Sequence, residues 1–154
     1  MKNQIGRNQE LIKFQIDISC QYNKIPPELS VYINQQCKFD QTITQSAQVI
    51  KFDHLLHFGQ TYHLTLVRSG KSDVDPAQML IIDRAIIDGI DVQNLIWDHS
   101  YYEPQYPEIW YQQQVSQGQT PELRVPGETW LGHNGTWNLS FGSPFWRHQI
   151  EVMG

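Results

Sequence analysis

Apolar and polar residues alternate along the start of the chain, with the period of a strand that buries one face. Within residues 12–22, every even-numbered residue is apolar or aromatic and every odd-numbered residue is polar. Residues 29–39 repeat the pattern with a polar interruption at Gln35, after a turn in residues 23–28. These two segments are therefore predicted to form a hairpin or to be neighbouring strands.

Further strands are predicted between residues 49 and 90. Residues 49–52 and 61–68 form two of them, separated by a turn at residues 58–60. Residues 80–90 are apolar at both even-numbered and odd-numbered positions. This indicates a central strand covered on both faces, although a short buried helix has the same signature. The Ser69-Gly70-Lys71-Ser72 segment is predicted to be a hairpin turn.

The alternation disappears between residues 93 and 126, where one short helix is predicted at residues 108–114 and an exposed loop or linker at residues 112–119. Order returns in residues 128–132 and 135–141, which flank an Asn134-Gly135 pair typical of a tight hairpin turn. A last strand is predicted at residues 145–152.

The pattern as a whole predicts an all-β protein, an antiparallel β-sandwich or jelly roll. Residues 1–96 would form the sandwich. Residues 97–154 would form an aromatic-rich C-terminal extension with a loop and a hairpin, as part of the same domain.

Composition narrows the choice of partners. The chain has 154 residues, enough for one domain with a conventional core, and its net charge is −5 with only eleven Lys and Arg residues. Nucleic acid is not expected as a partner, because binding phosphates needs clustered cations. No apolar run is long enough for a membrane span and no signal peptide is present, which predicts folding in the cytoplasm. Cys20 and Cys37 are predicted to be reduced core thiols.

Aromatic side chains are the first candidates for a binding site. Six lie together in the chain and three follow later: Trp97, Tyr101, Tyr102, Tyr106, Trp110, Tyr111, Trp130, Trp137 and Trp146. Flat rings stack on sugar faces while neighbouring amides and carboxylates bind hydroxyls, which would make a carbohydrate platform. The alternative is that the rings anchor an irregular segment on the sandwich or form protein interfaces.

Metal and catalytic sites are less well supported. Six aspartates could supply oxygen ligands to Ca²⁺, namely Asp73, Asp75, Asp83, Asp88, Asp91 and Asp98. Their spacing does not match an EF-hand, which favours turn roles for Asp73, Asp75 and Asp91 and pairing of Asp83 with Arg84 or Arg68.

His54, His57 and His63 lack the spacing of a zinc motif, and ordinary roles are predicted for them. There is no Gly-x-Ser-x-Gly elbow, and a glycosidase pair such as Glu103 and Glu108 would be a guess. We therefore expect no enzyme activity and no cofactor, with Ca²⁺ as an alternative.

Four segments carry a resemblance to a known architecture: residues 29–34, 48–52, 61–66 and 81–90. Their strand series resembles that of carbohydrate-binding-module-like β-sandwiches, and the closing Asp-Gly strand is similar to that of calcium-dependent xylan-binding modules. The resemblance covers about residues 10–96 and implies a sandwich that binds glycans of host surfaces or of plant type.

Later segments resemble a second group. Residues 97–111, 129–137 and 144–146 are similar to C-terminal parts of virion structural proteins of tailed bacteriophages, especially cyanophage-like ones. That resemblance implies a non-enzymatic component of a tail, baseplate, collar or decoration, made in the host cytoplasm and present in the virion. It would occur as a homo-oligomer or in repeated copies and would dock onto other virion proteins.

Overall fold

The computed structural model describes residues 6–145, and it is a sandwich of two antiparallel sheets. This confirms the predicted fold class. The first sheet has the strand order β10-β6-β1-β4, with β7 paired to the end of β6. Its strands are β1 (Gln9–Gln21), β4 (Ala47–His57), β6 (Met79–Ile87), β7 (Ile90–Asp91) and β10 (Trp130–Leu131).

The second sheet has the order β3-β2-β5-β11-β8-β9. Its strands are β2 (Glu28–Ile33), β3 (Gln36–Thr42), β5 (Thr61–Ser69), β8 (Ser100–Pro104), β9 (Val125–Pro126) and β11 (Gly135–Gly142). Strand β11 lies between β5 and β8, so chain segments from both sides of residue 96 pair within this sheet.

The core lies between the sheets, where their inward side chains meet. Ile12, Phe14 and Ile16 of β1 are at most 2% exposed, as their alternation predicts. Phe14 packs across the sandwich against Phe141 of β11, with ring centroids 5.8 Å apart. Burying a side chain of this size stabilises the fold by about 1.5–3 kcal/mol.

Two helices interrupt the strands. Helix α2 (Glu108–Ser116) confirms the helix predicted at residues 108–114, and because it continues to Ser116 the prediction of a loop at residues 112–119 is wrong for its first half. Helix α1 (Gln93–His99) was not expected, since seven residues are too few to show a helical period. Neither helix has the length and apolar character needed to cross a bilayer.

The predicted pairing of the first two strands is wrong. β1 pairs with β4 and β6, whereas β2 pairs with β3 and β5 in the other sheet. The connection between them therefore crosses the sandwich, and the buried carboxylate of Asp75 holds it in place. Its Oδ2 atom accepts three backbone N–H groups, from Asn23, Lys24 and Ile25, at 2.7–2.9 Å.

The segment predicted as one strand at residues 29–39 is two strands joined by a turn at Asn34 and Gln35. Asn34 has a φ of 54°, so the polar interruption marks a reversal of the chain. Strand β3 then runs along the sheet edge, and Cys37 on it is exposed, which corrects the prediction of a core thiol there. Cys20 is buried as expected, and both cysteines are free.

A β-bulge explains why residues 80–90 are apolar on both parities. Asp17 pairs with Arg84 and Ile18 pairs with Ile82, so Asp83 is one extra residue in β6. Buried positions are even-numbered before Asp83 and odd-numbered after it. The strand is therefore covered on one face, and the inference of two covered faces is wrong.

Two predicted hairpin turns join strands of different sheets and are also wrong. The Ser69–Ser72 segment begins the crossing from β5 to β6, and residues 132–134 carry the chain from β10 to β11. A glycine is needed at position 135 because the backbone of β8 passes close to it, and not because the chain turns there. A side chain there would meet the Glu103 carbonyl, and its Cβ would lie 2.8 Å from the Cα atom of Pro104.

Candidate functional site: an aromatic cleft

The nine aromatic residues singled out in the sequence do not form one cluster. Tyr102 and Trp137 are 2% and 1% exposed and belong to the core. Trp97 and Trp130 are 75% and 59% exposed. Tyr101, Tyr106, Trp110 and Tyr111 are half-buried, and Trp146 and the predicted strand after Phe145 lie outside the described residues.

Burial removes Tyr102 and Trp137 from any surface that meets a ligand or another protein. Tyr102 lies on the inward face of β8 and Trp137 on the inward face of β11, so both point into the sandwich. The Tyr102 hydroxyl donates a hydrogen bond to the backbone carbonyl of His133. Burial strongly raises the pKa of Tyr102, so this hydroxyl stays protonated and remains a donor.

Tyr101 belongs to a separate polar patch at the end of the second sheet. The guanidinium of Arg124 lies over its ring, 4.1 Å from the centroid. Arg124 also approaches Glu103, with 3.6 Å between nitrogen and oxygen. The ring face of Tyr101 is therefore already covered by a cation from its own chain.

Tyr106, Trp110, Tyr111 and His133 form a cluster of four rings at the surface. Tyr106 stacks on Trp110 and on Tyr111, with ring centroids 5.1 and 6.1 Å apart. The imidazole centroid of His133 lies 5.1 Å from the ring centroid of Tyr106 and 4.9 Å from that of Trp110. The indole of Trp110 thus contacts two other rings, Tyr106 and His133, which limits its rotamers.

Local chain chemistry positions these rings. Pro107 precedes the first residue of α2 with a φ of −57°, a value that its ring imposes and that suits the start of a helix. Trp110 and Tyr111 are then placed on the first turn of α2. The Tyr106 hydroxyl donates to the Glu122 carbonyl at 2.5 Å, which ties the loop after α2 back to the cluster.

Trp110 and His133 form one side of a cleft of about 780 Å³, called here the Trp110 cleft. Its lining comes from three stretches of chain: the loop and strand start at residues 71–79, the beginning of α2 at residues 107–113, and Gly132 with His133. This volume lies within the usual 300–1,000 Å³ range of small-ligand sites.

Gln78 anchors the loop wall of the Trp110 cleft. It is fully buried, and its Nε2 atom donates to the carbonyls of Ile25 and Gly70 at 2.6 and 3.1 Å. Its own backbone carbonyl accepts from the Lys71 ammonium at 2.9 Å, and Lys71 also donates to the Pro76 carbonyl at 2.7 Å. The Oε1 atom of Gln78 has no hydrogen-bond partner among residues 6–145.

The charged side chain of Arg68 is buried and binds residues that line or adjoin the Trp110 cleft. Its side chain donates to the carbonyls of Leu131 and Gln78 at 3.2 Å and to Oδ1 of Asn134 at 3.0 Å. The same Asn134 oxygen accepts the Lys71 backbone N–H at 2.8 Å, so this residue links two walls instead of making a turn. Burial lowers the pKa of Arg68, yet a guanidinium remains charged in proteins.

His133 offers an unsatisfied ring nitrogen beside Trp110. Its Nδ1 atom is buried and has no hydrogen-bond partner within the described part of the chain. Burial, followed by the charges of Lys71 and Arg68, lowers the pKa of His133 below 6.5. The imidazole is therefore neutral at pH 7.

Sequence reasoning identified Trp110 and Tyr106 as candidates but missed Lys71, Gln78, His133 and Asn134. Lys71 and Asn134 were interpreted as turn residues because each lies beside a Gly. The available signal for Gln78 was weak: it is one of nineteen Gln residues, and nothing in its neighbours marks it as buried. Its role depends in part on the carbonyl of Ile25, 53 residues away in the chain, which no local pattern reports.

The aspartates do not assemble a calcium site within residues 6–145. In that range no three His, Cys, Asp or Glu residues lie together as metal ligands would. Asp75 is engaged with backbone N–H groups, and Asp91 accepts the Gln93 N–H at 3.1 Å, a turn contact of the predicted kind. These donors do not fit Ca²⁺, which prefers six to eight free oxygens.

Asp83 does not pair with either of its predicted partners. It accepts a hydrogen bond from the Ser19 hydroxyl at 3.1 Å. Arg84 pairs with Asp17 at 2.9 Å, and Arg68 lies buried in the opposite sheet.

Comparison with known proteins defines the class of fold. The architecture matches a carbohydrate-binding module, "vCBM60 in complex with galactobiose", with a TM-score of 0.50, 13% identity, and coverage of 84% of this chain and 97% of that one. A second match is the selenomethionine form of vCBM60, reported as linking two families of calcium-dependent carbohydrate-binding modules by circular permutation. It has a TM-score of 0.51 at 12% identity and covers 85% of this chain and 90% of the other.

The chain therefore has a carbohydrate-binding-module-like β-sandwich fold. At these identities the likeness concerns the fold alone. No protein family and no curated protein matches the sequence.

Proposed function

We propose that the protein is a non-catalytic carbohydrate-binding protein and that the Trp110 cleft is its glycan site. The observation that carries this proposal is the pairing of an aromatic wall with a polar wall across one cleft of about 780 Å³. Sugars need this combination, because their C–H faces are apolar and their edges carry hydroxyl groups.

Trp110 would supply the apolar contact. Its indole is supported by Tyr106 and His133, so little side-chain entropy is lost when a sugar ring stacks on it. Pro107 and Met79 also line the cleft and widen the apolar surface around the indole.

Polar groups around the cleft would bind hydroxyls. Lys71 has two hydrogen bonds to carbonyls and keeps one N–H for a ligand, while Gln113 and Glu108 present an exposed amide and carboxylate at the entrance. The cleft carries both signs of charge, since Asp73 and Glu108 line it together with Lys71. A mixed lining of this kind favours neutral sugars over strongly acidic ones.

The fold comparison supports the proposal in a limited way. One similar structure contains galactobiose, a neutral disaccharide, so a sandwich of this shape can hold such a ligand. The proposed site assigns no ligands to calcium, since no three candidate metal-binding side chains lie together within residues 6–145.

A glycan array followed by calorimetry on soluble polysaccharides tests the proposal. We expect selective binding of neutral oligosaccharides at micromolar to millimolar Kd, a range typical of small polar contacts with one stacked ring. Failure to bind any glycan would remove the proposal. Turnover of a bound polysaccharide that disappears in Glu108→Gln would contradict the non-catalytic part.

A second candidate is docking onto other virion proteins of a tailed bacteriophage, with synthesis in the host cytoplasm. The observation that favours it is the exposure of Trp97 and Trp130, together with Ile109 (76%) and Leu123 (67%). Exposed large apolar side chains of this kind are enriched at protein interfaces. Mass spectrometry of purified particles whose genome encodes this chain would detect it in the virion, and its absence from them would rule this candidate out.

A further inference from the structure

Strand β4 is an edge of the first sheet as far as residues 6–145 are concerned. It is eleven residues long and, among the strands of that range, pairs with β1 alone. A long edge strand exposes a row of backbone donors and acceptors that another strand can complete. The identity of that second strand can be argued from the residues of β4 itself.

Hydrogen bonds at the two ends of β4 show which backbone groups face outward. The backbone N–H of Phe58 donates to the carbonyl of Asn8 at 2.9 Å, and the backbone N–H of Cys20 donates to the carbonyl of Ser46 at 3.0 Å. The even-numbered residues of β4 therefore form the hydrogen bonds to β1. Because antiparallel bonding alternates, odd-numbered residues 47–55 direct their backbone groups away from the sheet. The Lys38 ammonium bonds the outward carbonyl of Asp53 at 3.1 Å, in agreement with this alternation, and a pairing strand would use the second lone pair of that oxygen.

The outer face of β4 is complementary to itself under a twofold axis. An antiparallel pairing of two copies centred on Phe52 places Lys51 opposite Asp53 of the other copy, and Asp53 opposite Lys51. The same register places Val49, which is 53% exposed, opposite Leu55. In this register the outward-facing odd residues are the hydrogen-bonded pairs, as an antiparallel ladder requires.

Neither Lys51 nor Asp53 belongs to the ion pairs at contact distance within residues 6–145, which are Arg84–Asp17 and Arg124–Glu103. A hydrogen bond from Gln15, followed by Arg84 and the nearby charge of Lys51, lowers the pKa of the Asp17 carboxyl of β1. A dimer contact of Lys51 would therefore compete with its attraction to Asp17. Lys13 lies opposite Asp53 on β1 and competes for it across the sheet, whereas no acidic residue lies directly opposite Lys51 there, since its partner is Gln15.

We propose that β4 is a homodimer interface in which two copies pair antiparallel about Phe52, joining their first sheets into one continuous sheet. Opposite charges directly across the strands favour this register over its shifted alternatives. The Trp110 cleft shares no lining residue with β4, so each dimer would carry two clefts and bind a polymeric glycan with higher avidity than a single copy.

Charge reversal tests the interface. Sedimentation velocity over a concentration series should show a monomer–dimer equilibrium, and Lys51→Glu should weaken it about tenfold or more, because two like-charge contacts appear at once. Lys51→Glu/Asp53→Lys should restore dimerisation to near the original level. Lys24→Glu makes the same change of charge on an exposed loop and should have no effect.

Two outcomes would overturn the proposal. One is a monomer at every concentration up to the solubility limit, and the other is a dimer that the charge variants leave unchanged. Circular dichroism of each variant separates loss of pairing from loss of folding. Either outcome leaves glycan binding at the Trp110 cleft untouched, so the two proposals fail independently.

Cross-linking offers a second measurement that does not depend on affinity. In the proposed register residues 51 and 53 of the two copies have Cα atoms about 5.5 Å apart, a separation that a disulfide spans. Lys51→Cys/Asp53→Cys should therefore form a covalent dimer under mild oxidation, beyond the background that exposed Cys37 gives in the unmodified chain. Cross-linking no greater than this background would contradict the register.

Discussion

Replacing Trp110 by Ala should weaken glycan binding at the cleft about tenfold. The indole is half-buried and its centroid lies 5.1 Å from that of Tyr106 and 4.9 Å from that of His133, so that only part of a ring face is left for a ligand. A sugar that covers roughly 60 Å² of that face contributes about 1.5 kcal/mol at ~25 cal/mol per Å². Because 1.4 kcal/mol is a factor of ten in Kd, the loss is easily measured.

Isothermal titration calorimetry with the best ligand from the array measures this loss directly. Trp97→Ala is the matched control, since it removes the same side chain from a position that is 75% exposed and does not line the Trp110 cleft. It should bind as the unmodified protein does. Thermal denaturation of both variants would show that the sandwich is intact.

Two results would refute the reasoning. Unchanged affinity in Trp110→Ala would mean that the ring does not touch the ligand. An equal loss in Trp97→Ala and Trp110→Ala would mean that the effect is not specific to the cleft. A third variant, Trp110→Phe, should keep part of the affinity, because a smaller ring still stacks.

Three further predictions concern stability and its dependence on pH. Gly135→Ala should destabilise the fold by about 1–3 kcal/mol through overlap with the backbone of β8, measured by urea unfolding, whereas Gly132→Ala meets only a flexible methionine side chain and should cost less. Asp75→Ala should lower Tm more than Asp73→Ala, because it removes the acceptor that three backbone N–H groups share; an equal effect would deny that role. The pKa of His133 is lowered in the folded state, so the unfolded chain takes up a proton more readily as the pH falls below 6.5. The stability of the fold should therefore be highest above pH 6.5 and decrease below it, and His133→Gln should flatten this part of the plot of Tm against pH.

Local pattern was sufficient for most of the strands. The alternation of residues 12–22 and 61–68 follows from one face of each strand lying in the core, and β1 and β5 show that burial. The helix at α2 was also recognisable, although its end was not, because Gln residues are compatible with both helix and loop.

Strand pairing was not predictable from the same pattern. The period of two tells which face of a strand is buried, but it does not tell which sheet the strand joins. β1 and β2 therefore looked like a hairpin, although their connection crosses the sandwich and is held by Asp75. The bulge at Asp83 was hidden for a related reason, since one inserted residue makes both parities apolar.

The sequence by itself determined that this chain folds into strands with one apolar face and that its aromatic residues are concentrated after residue 96. Only the tertiary structure decided that Tyr102 and Trp137 belong to the core while Trp110 lines a cleft opposite Lys71 and Gln78. The physical reason is that ring exposure depends on the sheet against which each segment packs. The cleft is assembled from three segments of chain that are far apart in the sequence, residues 71–79, 107–113 and 132–133, and no local periodicity records contacts over such separations.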